Sequence, residues 1–175
     1  MKNLGGNRCF IGLGSNLGPR SLYIKLALRL LNEIDGINVV RCSRFYETEP
    51  VGIESKYNFI NAVAELRVTL LPEILLSRLL EIEQILGRDR TKGQDRTIDL
   101  DILWYEGVEI NTDELCIPHP RIGERGFVLV PWSDLAPDLH LAIWNKTISE
   151  LLNTVKDKYK IELFSSAPQL DELLL

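Results

Sequence analysis

Cysteine, histidine and methionine are scarce in this chain, and long hydrophobic runs are missing from it. Its 175 residues include three cysteines, two histidines and one methionine. The cysteines show no Cys-x-x-Cys or Cys/His ligand spacing, which argues against a disulfide framework and a zinc site and fits a reducing cytoplasm. No stretch of about 18 apolar residues occurs, so we predict no membrane-spanning segment.

Positive charge is also limited, because the net charge is −5 at pH 7. That value argues against an extended nucleic-acid-binding surface, although residues 88–96 form a local basic stretch. Hydrophobic content of 45% and charged content of 26% are ordinary for a globular protein. We expect a single domain over residues 1–160, followed by a C-terminal tail or short helix over 161–175.

Hydrophobic periodicity predicts an α+β fold with a ferredoxin-like β-α-β-β-α-β core. The predicted strands cover residues 9–13, 37–46, 57–68 and 96–102, and the predicted helices cover 21–34 and 72–86. This order implies an antiparallel or mixed sheet with both helices on one face. After the core we expect an extra strand near 108–110, a proline-rich loop over 117–121, a buried apolar segment over 127–131 and a helix over 148–155.

The strand over 96–102 carries the most informative residues. Alternation with apolar neighbours puts Asp99 and Asp101 on one face, about 7 Å apart. Like charges side by side in a strand repel, so a positive partner is required. Paired carboxylates with Mg²⁺ and nearby arginines are typical of phosphoryl transfer.

The pair also has a structural interpretation, as a solvated strand face paired with Arg96 or Lys92. Arg88 and Arg90 alone would be ordinary loop residues, yet beside a metal pair they would form a phosphate clamp. His119 lies between two prolines, and nearby Arg121 and Arg125 suggest a second anion-binding patch.

Two further features are ambiguous at this level. Phe59 and Asn61 share a strand face, which suits a flat heterocycle that stacks and hydrogen-bonds, or else simply a core residue beside a polar one. The glycine-rich run over 12–18 is neither a P-loop nor a dinucleotide fingerprint, and a strand-to-helix turn explains it equally well.

Seven segments in order resemble one family, the 6-hydroxymethyl-7,8-dihydropterin pyrophosphokinases of folate biosynthesis. They are IGLGSNLG (11–18), TEPVG (48–52), FINAVAEL (59–66), LGRDR (86–90), RTIDLDIL (96–103), IPHPR (117–121) and ERGFVLVP (124–131). The resemblance implies a monomeric, cytoplasmic diphosphotransferase that moves pyrophosphate from ATP to the pterin hydroxymethyl oxygen and releases AMP. It implies no nucleic-acid or membrane partner.

The resemblance also implies roles for individual residues. Asp99 and Asp101 would bind two Mg²⁺ ions, and either Asp99 or a metal-bound alkoxide would account for deprotonation of the attacking hydroxyl. Catalytic and ATP-binding roles would fall to Arg88, Arg90, Arg96, His119 and Arg125. The pterin would be bound by Thr48, Val51, Phe59, Asn61 and Phe127.

The chain departs from the family in the loop before the aspartate strand. Many members carry a tryptophan there, whereas residues 92–95 read Lys-Gly-Gln-Asp, and the loop is about two residues shorter than in some members. Two alternatives to the family function are a Mg²⁺-dependent nucleotidyltransferase and a non-catalytic ferredoxin-like binding module. The first needs its Gly-Ser close upstream of the aspartates, and the second gives no reason for two aspartates beside a basic loop.

Overall fold

A computed structural model describes residues 5–173 of the chain. The ten strands are β1 (Asn7–Ser15), β2 (Ile37–Cys42), β3 (Phe45–Thr48), β4 (Phe59–Val68), β5 (Asp99–Tyr105), β6 (Ile110–Asn111), β7 (Cys116–Ile117), β8 (His140–Leu141), β9 (Lys146–Thr147) and β10 (Ile161–Ser165). The five helices are α1 (Arg20–Glu33), α2 (Pro72–Ile85), α3 (Gly126–Ser133), α4 (Ile148–Val155) and α5 (Leu170–Leu173). No helix within 5–173 is long and apolar enough to cross a membrane.

The main sheet is antiparallel and runs in the order β10-β3-β4-β1-β5, with β2 also paired to β4. Strand β1, helix α1, strands β2 and β4, helix α2 and strand β5 form the predicted β-α-β-β-α-β core in that order. Both helices bury their apolar stripes in one cluster on one face of the sheet. The predicted ferredoxin-like core is therefore confirmed.

The opposite face of the sheet is covered by α3 and α4. The apolar segment predicted at 127–131 lies within α3, whose Val128, Leu129 and Trp132 are buried. They pack with Phe10 of β1 and with the buried residues of α4. The sheet thus lies between two layers of helices, and side chains that alternate along each strand point into different cores.

The predicted strand over 37–46 is interrupted at Ser43 and Arg44. The hydroxyl oxygen of Ser43 accepts a hydrogen bond from the Val63 N–H at 2.9 Å, and the Ser43 N–H donates to the Val63 carbonyl at 2.8 Å. A side chain here replaces one backbone group of the ladder, so β2 and β3 pair with different parts of β4.

Strand β5 contains a bulge that the alternation pattern did not reveal. Phe10 pairs with Trp104 and Ile11 pairs with Ile102, which leaves Leu103 as the extra residue. Because of this shift, Trp104 contacts Phe10 and the cluster under α3 instead of sharing a face with Leu100 and Ile102. Asp99 and Asp101 precede the bulge and keep the predicted alternation.

The segment after residue 160 differs from a simple tail. Ile161–Ser165 forms β10, which pairs antiparallel with β3 and extends the main sheet. The four-residue helix α5 follows, with Leu173 buried in the cluster under α1 and α2. The strand was not expected because its composition (IELFS) is too short to show a period.

Candidate active site

A pocket opens at the end of the sheet beside α3, and most of the predicted site residues line it. Its floor consists of residues on β1, β4 and β5 that face the α3 side. The loop after β3 and the first turn of α3 form its walls. The lining residues include Gly12, Thr48, Glu49, Val51, Gly52, Ile53, Phe59, Asn61, Arg96, Asp99, Asp101, Leu103, Arg121, Arg125, Phe127 and Val128.

Asp99 and Asp101 lie side by side in this pocket, opposite Gly14 and Gly12 of β1 in the strand register. Burial raises the pKa of both carboxyl groups, and the neighbouring Asp101 raises the pKa of Asp99 further. Arg96 forms an ion pair with Asp99. The site therefore contains two closely spaced acidic groups, and one of them, Asp99, is paired with a guanidinium group.

Gly14 makes room for the oxygens that converge on this part of the pocket. A Cβ placed on Gly14 would lie 2.7 Å from Asp99 Oδ1 and 2.9 Å from Asn61 Oδ1. A Cβ on Gly12 would meet only the Leu103 side chain, at 3.4 Å. The glycine-rich run thus belongs largely to β1, and the turn proper begins at Asn16, with Gly18 at φ +67°.

Two phenyl rings contribute to the pocket lining, Phe59 from β4 and Phe127 from α3. The Arg96 guanidinium carbon lies 4.8 Å from the Phe59 ring centre, and that of Arg125 lies 5.6 Å from the Phe127 ring centre. The aromatic faces are suited to stacking on a flat ring. The cationic groups beside them are suited to an anion attached to that ring.

Polar groups that could read the edge of a flat ring lie next to Phe59. Asn61 is 8% exposed and its amide nitrogen donates to Thr48 Oγ1 at 2.7 Å. Val51 lies on the loop that follows Thr48, and Glu49, Gly52 and Ile53 of the same loop also line the pocket. The sequence identified Thr48, Val51 and Asn61, but it did not identify Glu49 or Ile53.

Arg88 and Arg90 do not line the pocket in this structure. Both pair with Glu83 of α2, whose carboxylate oxygens lie 3.0 Å from Arg88 Nη1 and 2.9 Å from Arg90 Nη2. Glu83 is 3% exposed and also accepts from the Leu100 N–H at 2.8 Å. A buried carboxylate thus ties the basic loop to the aspartate strand.

His119 is half-buried beside the pocket and is not one of its lining residues. It follows a cis Ile117–Pro118 bond, and its backbone N–H donates to the Leu103 carbonyl at 2.9 Å. Burial and the charges of Arg125 and Arg121 lower the pKa of His119 to about 4. The imidazole is therefore neutral near pH 7, and an arriving anion would favour its protonation.

Asn16 joins two loops that flank the pocket. Its side-chain oxygen accepts from the Arg96 N–H at 2.7 Å, and its nitrogen donates to Asp95 at 2.7 Å and to the Tyr57 carbonyl at 3.4 Å. The sequence offered a signal here, since an Asn in a glycine-rich strand end is a common turn-forming residue. Its long-range partners, about 40 and 80 residues away, leave no local pattern.

Comparison with known proteins assigns the family. The model of 7,8-dihydro-6-hydroxymethylpterin-pyrophosphokinase matches residues 10–137. The chain belongs to this family. The resemblance drawn from its motifs is confirmed.

Curated members of the pyrophosphokinase family are similar over most of this chain. The 2-amino-4-hydroxy-6-hydroxymethyldihydropteridine pyrophosphokinase of Bacillus subtilis is 42% identical over 130 residues, 74% of this chain and 78% of that protein. The enzyme of the same name from Methylorubrum extorquens is 40% identical over 146 residues, 83% of this chain and 91% of that protein.

Solved structures of two-enzyme HPPK-DHPS chains share the fold. A crystal structure of such a chain with substrates matches with a TM-score of 0.71 at 16% identity, over 86% of this chain and 43% of that one. The wild-type Plasmodium falciparum protein with pteroate gives 0.71 at 17% identity, over 85% of this chain and 42% of that one. This chain therefore spans less than half the length of those two-enzyme chains.

Proposed function

We propose that this chain transfers the pyrophosphoryl group of ATP to the hydroxymethyl oxygen of 6-hydroxymethyl-7,8-dihydropterin and releases AMP, as the family to which it belongs implies. One observation carries the proposal at the level of residues. The pocket combines two adjacent aspartates, two phenyl rings and three arginines, Arg96, Arg121 and Arg125. That set matches a flat heterocycle whose substituent reacts with a polyphosphate.

The aspartate pair fits Mg²⁺. Desolvation raises the pKa of both carboxyl groups, repulsion from Asp101 raises the pKa of Asp99 further, and a cation beside them would favour the ionised forms; oxygen donors are the ligands that Mg²⁺ prefers. Within residues 5–173, no group of three or more acidic, histidine or cysteine side chains is placed to hold a metal ion. Mg²⁺ commonly takes one or two carboxylates and completes its shell with water and substrate phosphates, so two aspartates are enough. We propose that Asp99 and Asp101 hold two ions, which would neutralise and align the triphosphate.

The phenyl rings and the Thr48–Asn61 pair are proposed to bind the pterin. Stacking between Phe59 and Phe127 would fix the plane of the ring, and Asn61, Thr48 and the backbone at Val51 would fix its rotation within that plane. The hydroxymethyl group would then point toward the aspartates. Holding the reacting groups in this way is worth several orders of magnitude in rate.

The cationic residues are proposed to bind the ATP phosphates. Arg96 and Arg125 already line the pocket, and Arg121 is a third guanidinium there. Arg88, Arg90 and His119 do not line the pocket and would contribute if the loops close over ATP. A triphosphate carries about four negative charges, and these must be balanced before a nucleophile can approach.

Asp99 is the proposed acceptor for the proton of the attacking hydroxyl. Asp99 lines the same pocket as the proposed pterin contacts, so its carboxylate is placed to take that proton. The reaction forms a bond from the pterin oxygen to the β-phosphorus and breaks the bond between that phosphorus and the α–β bridging oxygen. AMP leaves with that oxygen.

The test is nucleotide analysis after incubation with Mg·ATP, with and without 6-hydroxymethyl-7,8-dihydropterin. We expect AMP only when the pterin is present, and loss of AMP formation in Asp101→Ala. Asp138→Ala, which removes an exposed aspartate before β8, is the matched control and should retain activity. Release of ADP would indicate phosphoryl transfer, and release of pyrophosphate would indicate nucleotidyl transfer. Either product would refute the proposal.

The monomeric state, the cytoplasmic location, the absence of nucleic-acid and membrane partners and the domain limits stay predictions from the sequence. One structural fact bears on the domain limits. Strand β10 belongs to the main sheet, so a boundary at residue 160 would divide that sheet. We propose that the domain continues at least through Ser165.

A further inference from the structure

Helix α3 is one wall of the pocket, and something must hold it at a fixed distance from the sheet. Phe127 and Val128 in its first turn face the pocket, while Phe59 and Thr48 lie on the sheet side. The width between these walls decides whether a flat ring can contact both. No rule of local sequence fixes that width, because α3 and the β3–β4 pair are more than 50 residues apart in the chain.

Asp134 is the C-cap residue of α3 and binds Arg44, which precedes β3, and Tyr46 within β3. Its carboxylate accepts from Arg44 Nη2 at 2.7 Å, from Arg44 Nε at 3.1 Å and from the Arg44 backbone N–H at 3.2 Å. The Tyr46 hydroxyl lies 2.9 Å and 2.8 Å from the two carboxylate oxygens. The Asp134 side chain is 14% exposed, so water screens these bonds only in part.

The break between β2 and β3 provides one of these bonds. Since Ser43 makes the ladder contacts to Val63 there, the Arg44 N–H can point away from β4 and donate to Asp134. The interruption of the predicted strand thus has a structural use. It turns a backbone donor of the sheet toward the helix on its face.

We call Asp134, Arg44 and Tyr46 the α3 clamp. Tyr46 connects this clamp directly to the pocket. It lies two residues before Thr48 on β3, on the same side of the strand, and it pairs with Asn61 in the register. Its side chain is buried, with 6% of the residue exposed. Burial and the bond to Asp134 raise the pKa of Tyr46 to about 12, so the phenol remains a donor at neutral pH.

We propose that Asp134 is a positioning residue for pterin binding. With Arg44 and Tyr46 it holds α3, which carries Phe127, against β3, which carries Thr48. It thereby sets the width of the pterin slot, the gap between Phe127 on α3 and Phe59 on the sheet. Asp134 does not touch the substrate and acts through the two walls. This inference rests on the pterin slot proposed above.

The chemistry of the clamp calls for a carboxylate. Arg44 presents only N–H donors to Asp134, with at least one directed at each carboxylate oxygen, and an aspartate accepts with both oxygens. An asparagine would put an amide N–H against one of these donors. We therefore expect Asp134→Asn to loosen the helix end rather than to leave a neutral substitute.

The test compares two tyrosines that differ in place but undergo the same chemical change. Tyr46→Phe removes the clamp hydroxyl. Tyr105→Phe removes the hydroxyl of another buried tyrosine, which donates to the Leu70 carbonyl at 2.8 Å in the cluster under α1 and α2. Calorimetry would measure the affinity of 6-hydroxymethyl-7,8-dihydropterin in the presence of Mg²⁺ and a non-hydrolysable ATP analogue, with unfolding temperature recorded in parallel.

We expect pterin Kd to rise about threefold in Tyr46→Phe and about tenfold in Asp134→Asn, with the Kd of the ATP analogue within twofold of wild type. Tyr46→Phe and Tyr105→Phe should lower the unfolding temperature by similar amounts, but Tyr105→Phe should leave pterin Kd unchanged. Unchanged pterin affinity in Tyr46→Phe and Asp134→Asn would overturn the inference. So would an equal loss in Tyr105→Phe, because it would indicate a general effect of destabilisation.

Failure of the slot itself would look different. If Phe59→Ala and Phe127→Ala leave pterin affinity unchanged, the slot is wrongly placed and the inference falls with it. If those two variants weaken binding while the clamp variants do not, only the role of Asp134 is refuted.

Discussion

Replacing Gly14 by alanine is expected to reduce turnover sharply while leaving the fold intact. Gly14 lies in β1 with ordinary extended backbone, so a side chain is permitted there on conformational grounds. The added methyl group would, however, lie 2.7 Å from Asp99 Oδ1 and 2.9 Å from Asn61 Oδ1. These oxygens belong to the proposed metal ligand and the proposed pterin contact.

The size of the effect follows from the displacement that is needed. To reach an ordinary contact of 3.4 Å the oxygens of Asp99 and Asn61 must move by about 0.7 and 0.5 Å. A displacement of about 1 Å at a reacting group can cost about 100-fold in rate, so we expect a loss of about 10- to 50-fold in kcat, or about 1.4–2.3 kcal/mol. Stability should change little, because replacing a strand glycine gains about 0.5–1 kcal/mol that offsets part of the strain.

The assay is AMP formation as a function of Mg²⁺ and pterin concentration, beside thermal unfolding. Gly12→Ala is the matched control, since it adds the same methyl group on the same face of β1 but meets only Leu103, at 3.4 Å. Its kcat should stay within about threefold of wild type. Wild-type kcat in Gly14→Ala, or equal losses in both variants, would refute the reasoning.

Two further predictions concern the charges of the site. Asp101→Asn should reduce activity about 100-fold or more, yet raise the unfolding temperature of the Mg²⁺-free protein, because it removes one of two adjacent carboxyl groups whose pKa values are raised by desolvation in the site; thermal unfolding with EDTA checks this, and a lower unfolding temperature would contradict it. His119 has a pKa near 4 instead of 6.5. The unfolded chain therefore binds more protons between these values, and stability should fall by about 1–2 kcal/mol as pH drops from 6.5 to 4. Urea unfolding should show a smaller loss of stability from pH 7 to pH 5 in His119→Gln than in wild type. An equal loss in both would show that His119 is not the cause of the pH dependence.

The sequence predicted the core of the fold because its signals were local and repeated. The apolar periods of α1 and α2, the long apolar run of β4 and the alternation in β5 each extend over enough residues to be distinctive. The break at Ser43 was missed, because a hydroxyl that substitutes for a backbone group in the ladder resembles any other polar residue in a strand. The bulge at Leu103 was missed because it adds an apolar residue to an apolar run.

The candidate site was predicted unevenly for a similar reason. Motif residues such as Asp99, Asn61 and Phe127 carry their chemistry in their own side chains, and the structure brings them together in one pocket. Gly14 was treated as part of a turn, although its function is to provide space between two side chains from other strands. Space of this kind depends on the register, and no single segment of sequence reports it.

Glu83 is the case in which a signal was present and went unused. The apolar stripe of α2 runs through Leu75, Leu79 and Ile82, and Glu83 follows Leu79 by four residues, so the same period places it on the buried side. A glutamate on that side requires cationic partners, and the following loop supplies Arg88 and Arg90. A buried acidic residue in a helix just before a basic loop therefore indicates that ion pairs from the loop arginines to that residue fix the position of the loop. These two arginines form ion pairs with Glu83 before any phosphate binds. They can therefore bind ATP phosphates only if they contact Glu83 and the phosphates together or break the ion pairs with Glu83.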